Sequence, residues 1–266
     1  MNNQETELKK GNMSEVSRAG SSVYRDLKPQ SRTIHRLLLH LEKKGLTFVP
    51  RFLGMKDDQK EMLSFLEGDT IEDYPEKKDL PNRMVVVKQA ARMLRAYHDA
   101  TMDFKCEPED IWFLSYESDL QKDVICHNDF APYNVTFQDG LPVGIIDFDT
   151  ACPAPRIWDV AYAVYRFVPL SREVYDPDAG SYRNYDRTQD CSQRRELLDA
   201  FLAAYGAFTA SEVLDNVILR LQALVALFDE ESQKGNQVFI KMKQEGHQQF
   251  YQEEIKFIKE NRKEWC

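Results

Sequence analysis

The segment His127-Asn128-Asp129-Phe130-Ala131-Pro132-Tyr133-Asn134 sets an aspartate two residues after a histidine and an asparagine five residues after that aspartate, the pattern H-x-D-x-x-x-x-N. Those residue types at that spacing suit phosphoryl transfer. A carboxylate takes or orients the proton of an acceptor hydroxyl, and an amide oxygen five residues on holds Mg²⁺ over the phosphates. A plain surface turn carries the same letters in some chains, so the segment does not stand alone. Eighteen residues beyond Asp129, Gly144-Ile145-Ile146-Asp147-Phe148-Asp149 puts an acid at the end of an apolar stretch, after the turn residues Gln138-Asp139-Gly140. An aspartate at such a strand end can grip the metal that Asn134 reaches. By itself it reads equally well as a turn acid; beside the first segment it points to phosphoryl transfer.

The elements that must position these residues differ between the two ends of the chain. Across the first 70 residues, short segments flank Gly20, Ser31 is placed to cap a helix with Ile34, Leu37, Leu38 and Leu41 on one face, and Gly45 ends it. Phe52–Met55 and Met62–Leu66 then read as strands around a polar turn, and Glu67-Gly68-Asp69 as a hinge. From Pro81 on the periodicity is helical: Val85–Asp99, Arg194–Tyr205, Glu212–Glu230 and Lys241–Lys263 each carry an apolar face. Val124–Phe148 reads as loop and hairpin. Tyr175–Asp190, rich in turn formers, reads as a long loop of the kind that serves as a lid, and its tyrosines and acids suit a hydroxylated or cationic acceptor; a plain insertion fits it as well.

Composition narrows the classes. The chain has 266 residues, 42% of them apolar and 30% charged, enough for one large core or two and too apolar for a disordered chain. No apolar run approaches the roughly 20 residues that span a bilayer, and the polar first ten residues make no secretory signal. A net charge of −9 argues against nucleic acid and tolerates a cationic small molecule. Five scattered cysteines with no C-x-x-C pair speak against a disulfide framework or a zinc site, so a cytoplasmic location is expected. Cys126, beside His127, reads as a buried thiol.

With His127, Asp129, Asn134, Asp147-Phe148-Asp149 and Trp158-Asp159-Val160-Ala161 in place, the chain resembles the aminoglycoside phosphotransferase and choline-kinase-like family. Within it, Asn128–Asn134 and Pro155-Arg156-Ile157-Trp158-Asp159 look nearest to the trifolitoxin-immunity-like branch. The resemblance implies an α+β, bilobal protein-kinase-like fold: a small β-rich nucleotide-binding lobe over residues 1–68, and a larger helical lobe over 69–266 with the catalytic loop and acceptor site. It implies Asp129 as catalytic base, Asn134 and Asp147 as Mg²⁺ ligands, Asp149 as a second acid beside them, and His127 and Asp159 as structural support. A helix N-terminal acid is the plainer reading of Asp159.

The nucleotide side departs from the family pattern. Gly11–Val16, with Ser14, lies where the family covers the phosphates, yet it holds one glycine and fits a plain hairpin turn equally. Arg25 stands at the family's phosphate-binding lysine, with Lys28 three residues on, and an arginine grips phosphate bidentately. The following helix has no acid between Thr33 and Leu41, so the usual lysine–glutamate pair lacks an obvious partner. Ser64 and Leu66 match the hinge positions whose backbone meets the purine. The expected activity is transfer of the γ-phosphoryl of ATP, or GTP, with Mg²⁺ to a hydroxyl of a small molecule such as an aminoglycoside, an amino alcohol or a sugar, with antibiotic resistance among its implied roles. The alternative is a catalytically weak nucleotide- or ligand-binding immunity or resistance protein of the same fold. A protein kinase is disfavoured because no Ala-Pro-Glu segment follows Asp147. Oligomeric state and acceptor identity stay open.

Overall fold

The structure, a computed structural model, describes residues 6–7, 16–71, 83–117, 120–176 and 178–266. The chain divides into two compact units. One comprises the described residues of Met1–Ile71 and Ala96–Arg156, the other those of Glu72–Arg95 and Ile157–Cys266.

The first unit opens with a five-stranded antiparallel sheet in the order β1-β2-β3-β5-β4, formed by β1 (Thr6–Glu7), β2 (Val16–Ala19), β3 (Ser22–Asp26), β4 (Phe52–Met55) and β5 (Lys60–Ser64). Gly20, at φ 62°, supplies the left-handed turn between β2 and β3. Helix α1 (Ser31–Lys43) buries Ile34, Leu37, Leu38 and Leu41, the face that periodicity predicts. Ser31 is its first helical residue and not its cap: Gln30 holds that position, and the Ser31 hydroxyl accepts from the Lys28 backbone N–H at 2.9 Å. The turn that carries Lys28 is thereby fixed to the helix start. Gly68 (φ 123°) lets the chain run against a second hairpin, where Asp69 and Phe137 exchange N–H···O bonds of 3.0 and 2.9 Å. A Cβ at Gly68 would lie 2.8 Å from the Phe137 carbonyl oxygen, so only glycine fits.

That second hairpin joins β7 (Val135–Gln138) to β8 (Leu141–Ile145). Beside it β6 (Val124–Cys126) pairs with β9 (Cys152–Ala154). All three residues of β6 are buried, as an unbroken Val-Ile-Cys run requires. These two small ladders hold the ends of the segments singled out above.

The second unit is mainly helical. The helix α2 (Arg83–Thr101) runs from this unit into the first. It is followed by α3 (Arg156–Phe167), the hairpin of β10 (Glu173–Asp176) and β11 (Ser181–Asn184), then α4 (Arg187–Tyr205), α5 (Ala210–Gln233), α6 (Gln237–Gln244) and α7 (His247–Asn261). Tyr175–Asp190 is therefore no long loop: Tyr175 faces Tyr182 across β10 and β11, ring centroids 5.5 Å apart, and α4 begins at Arg187. The expected final helix is two, separated at Gly246, whose φ of 87° no helix interior tolerates. Gly206 stops α4 in the left-handed conformation, and Thr209 with Glu212 closes a full capping box on α5. Among the described residues no single helix is long and apolar enough to cross a membrane.

Candidate active site

The site lies in the first unit. Its floor is the turn after β6. Asn128 takes φ 65°, and its side-chain amide donates to Thr150 O at 3.0 Å and to Cys152 Sγ at 3.2 Å, which offsets the strain of a non-glycine residue there. His127 is fully buried. Its Nε2 donates to Ile146 O at 2.9 Å, and its Nδ1 accepts from the Asp129 N–H at 3.3 Å, so both nitrogens of a neutral imidazole are used. Its ring meets Phe148 edge-on at 4.8 Å, and Tyr97 meets Phe148 at 5.6 Å. His127 thus ties the segment carrying Asp129 to the segment carrying Asp147, without facing solvent.

Asp129 is half-buried. Its Oδ1 accepts from the Tyr133 hydroxyl at 2.6 Å and its Oδ2 from Asn134 Nδ2 at 2.8 Å. The same Nδ2 donates to the Asp129 carbonyl at 3.0 Å. Pro132–Asn134 form one 3₁₀ turn, and Asn134 O accepts from the Ile146 N–H at 2.9 Å. With Nδ2 committed to Asp129, the Asn134 amide oxygen faces away from that carboxylate, and among the described residues nothing donates to it.

Asp147 adopts the left-handed conformation, φ 61° and ψ 74°, which turns its side chain out of the β8 direction. Its carboxyl is pushed above the ordinary aspartate range by desolvation, then by the negative charges of Asp149 and Asp129, with Arg25 and Lys28 opposing. About half of its side-chain surface (51%) nevertheless stays open, so solvent eases the desolvation and screens the like-charge crowding alike, and the shift is upward but tempered.

Asp149 is buried and doubly paired, to Arg25 Nη2 at 2.8 Å and to Lys28 Nζ at 2.5 Å. Burial works against its charge, but the two cations outweigh burial and hold its carboxyl below the usual range. Arg25 is buried at the inward end of β3. Burial disfavours its charge, and Asp149, Glu61 and Asp147 together raise it above its ordinary value. Its Nε donates to Glu61 Oε1, and Nη1 lies 3.7 Å from Asp147 Oδ1. Three acids around one guanidinium, with Lys28 sharing one of them, form a charge-assisted network in which no member is buried unpaired.

The structure thus brings Arg25, His127, Asp129, Asn134, Asp147 and Asp149 together, and adds Lys28. Ser14 and the loop around it lie outside the described residues. Ser64 ends β5; its N–H donates to Arg51 O at 2.9 Å and its hydroxyl accepts from Arg51 N at 2.8 Å. Leu66, two residues on, has no backbone hydrogen bond among the described residues. Asp159 sits in the first turn of α3 in the other unit and is fully buried. Three members escaped sequence reasoning: Glu61, His35 and Tyr133. Glu61 is a fully buried acid on β5, opposite Arg25 in register, and its Oε2 contacts His35 Nε2 of α1. The available signal was its phase, because Glu61 shares the buried face of β5 with Leu63.

Comparison with known proteins gives a consistent answer. Residues 109–213 match the model of the phosphotransferase enzyme family. The chain is 33% identical over 204 residues to the trifolitoxin immunity protein of Rhizobium leguminosarum bv. trifolii, spanning 75% of this chain and 74% of that one. Among solved structures, ADP-bound aminoglycoside phosphotransferase APH(2'')-Ib superposes with a TM-score of 0.57 at 14% identity, over 99% of this chain and 95% of that one. A choline/ethanolamine kinase family protein from Mesorhizobium loti gives 0.57 at 14% identity, over 97% and 92%. These neighbours show a protein-kinase-like α+β fold, with its strands concentrated toward the N-terminus and its helices toward the C-terminus.

Proposed function

The chain belongs to the phosphotransferase enzyme family, in the group of aminoglycoside phosphotransferases and choline-kinase-like enzymes and beside the trifolitoxin immunity protein, and on that footing we propose that it moves the γ-phosphoryl of ATP, or GTP, to a hydroxyl of a small molecule with Mg²⁺. One observation carries this reading. A half-buried, hydrogen-bonded Asp129 shares its surroundings with the crowded carboxyl of Asp147, and the Arg25–Lys28 cation pair stands at Asp149, two residues on from Asp147. A base, a hard-oxygen metal site and a phosphate grip are what this transfer requires.

Asp129 takes the acceptor proton. Tyr133 now donates to Oδ1, so an acceptor hydroxyl would take that place while Asn134 keeps Oδ2 aimed. The acceptor oxygen then bonds to the γ-phosphorus as the bond to the leaving ADP breaks. The residues fit Mg²⁺: the Asn134 oxygen is uncommitted, and Asp147 is a carboxylate whose crowding a dication relieves. When bound, Mg²⁺ neutralises the charge of the phosphates. Arg25 meets phosphate through Nη1, whose 3.7 Å contact to Asp147 is the longest it makes. Leu66 offers a purine its unused backbone groups. ADP and streptomycin–ATP complexes of related folds are in keeping with this.

A second reading, a ligand-sequestering immunity protein with weak turnover, is favoured by the pairing of both cations to Asp149 and by the name of the 33%-identical relative. An ATP-consumption screen with Mg²⁺ against aminoglycosides, sugars and amino alcohols, run beside Asp129→Asn, separates the two. The variant is nearly isosteric: its oxygen can face Asn134 while its amide donates to a reversed Tyr133 hydroxyl, so it folds. Loss of the base should cost about 10²–10⁴-fold in turnover. Wild-type turnover by Asp129→Asn on a confirmed acceptor would overturn the assignment of the base. A wild type that binds ligands yet consumes no ATP with any acceptor leaves the immunity reading.

A further inference from the structure

In the phosphotransferase reading, the cation that grips phosphate must itself be held at the right angle, and the helix that follows it has nothing to do this with. From Ser31 to Lys43, α1 carries one acid, Glu42, at its far end. We propose that Glu61, on a strand, is the positioning acid of Arg25, and that His35 makes the alignment of Arg25 answer to α1.

Four observations support this. Arg25 and Glu61 are direct cross-strand partners on the inward face of β3 and β5, with Val23 and Leu63 as the next pair on that face. Glu61 has no solvent exposure, and each of its oxygens has one partner, Arg25 Nε on Oε1 and His35 Nε2 on Oε2. A fully buried carboxylate is retained only where its charge is matched. The His35 ring stacks on Phe52 of β4 at 3.8 Å and 15°, which fixes the direction of its N–H toward Glu61. Finally, the guanidinium is divided: Nε is pinned by Glu61, while Nη1 and Nη2 face Asp147 and Asp149. Without the pin, the planar fork is free to turn wholly onto the two aspartates, whose charges then compete with phosphate for it. Glu61 contacts neither Asp129 nor the metal ligands in this structure; it acts through Arg25.

The test measures binding of ATP and of adenosine to the purified full chain by calorimetry. Adenosine lacks the phosphates and reports the purine site alone. In Glu61→Gln, which keeps the size and an oxygen for Nε but loses the charge, ATP affinity should fall about tenfold or more, as expected when a hydrogen bond to a charged group is weakened. Adenosine affinity should stay within about twofold, since neutral contacts elsewhere are untouched. In an Arg25→Ala background the same change should have no further effect on ATP, because residues acting in series do not add. His35→Phe preserves the stack on Phe52 and removes the N–H; it should lower ATP affinity in the same selective way, by less, and supplies the measurement if Glu61→Gln does not fold. Equal losses for ATP and adenosine, or full additivity with Arg25→Ala, would show a merely structural role and overturn the proposal. A wild type that binds ATP no better than adenosine would instead overturn the phosphate-binding reading beneath it.

Discussion

Asp149→Asn isolates what the doubly paired carboxylate does for the protein. In the wild type its two oxygens face Arg25 and Lys28 at 2.8 and 2.5 Å, and its side chain is only 10% exposed. Removing one partner of a buried ion pair costs about 3–5 kcal/mol, because the other charge is left uncompensated. Here the lower end applies. The Asn oxygen still accepts one hydrogen bond, Arg25 keeps Glu61, and Lys28 is the more exposed of the two cations, at 19% against 10% for Arg25. With each kcal/mol worth about 2–4 °C for a chain approaching this size, a loss of about 3 kcal/mol lowers Tm by about 6–12 °C.

The pH dependence gives a second check. The Asp149 carboxyl is held below its ordinary value in the folded state. Its contribution is therefore fully present above the unfolded aspartate value, about 3.9, and is lost as pH falls through the lower folded value. Thermal unfolding of wild type and variant should show a gap that is constant from pH 8 to 6, changes modestly below that because the variant also relieves the raised Asp147 carboxyl, and is lost below about pH 4. A gap under about 1 °C refutes the network's energetic weight. A gap that changes between pH 8 and 6 assigns it to some other titrating group.

Asp147 carries the opposite sign: its carboxyl is raised, so ionising it costs stability as pH rises from the unfolded value through the folded one. At neutral pH, Asp147→Ala should match or slightly exceed the wild-type Tm without Mg²⁺, and should lose most of the Mg²⁺-dependent part of the shift that ATP produces; a variant that keeps the full shift removes Asp147 from the metal site. In the helical unit, Thr209→Ala breaks the capping box of α5 and should cost about 1 kcal/mol, read as a Tm drop of about 2–4 °C with ATP binding unchanged. An unchanged Tm there would mean that the helix end is held by its packing alone.

The local part of the site was legible in the sequence. Asp129, Asn134 and Asp147 lie in two short segments whose spacing suits phosphoryl transfer, and the structure brings both to one place through His127, which bonds to each. Helix faces were legible for the same reason: Ile34, Leu37, Leu38 and Leu41 repeat at the helical period, and α1 buries them. Where the reading missed, a local signal was overridden. The Tyr175–Asp190 stretch looks like a loop because Asp176, Asp178 and Gly180 dominate it, yet those are the turn of a hairpin, with Asp176 Oδ1 accepting from the N–H groups of Asp178 and Ala179. The closing helix looked continuous because one glycine among charged residues is a weak break in composition, though a decisive one in φ.

Arg25 shows where local spacing stops being informative. Searched along the chain, it has no acid at helical reach in α1, and the absence reads as a defect of the nucleotide side. In the fold its partner stands directly opposite on β5, 36 residues away in sequence. Strand pairing converts a sequence separation into a contact, and no spacing rule records it. Phase does: β5 alternates, and Glu61 falls on the buried side with Leu63. An acid on the inward phase of a strand cannot stay unpaired, since isolated burial of its charge costs several kcal/mol. It therefore demands a cation at a facing inward position, and β3 supplies one at Arg25. Arg25 thus reaches sideways, along its own sheet, for the charge that the helix does not offer.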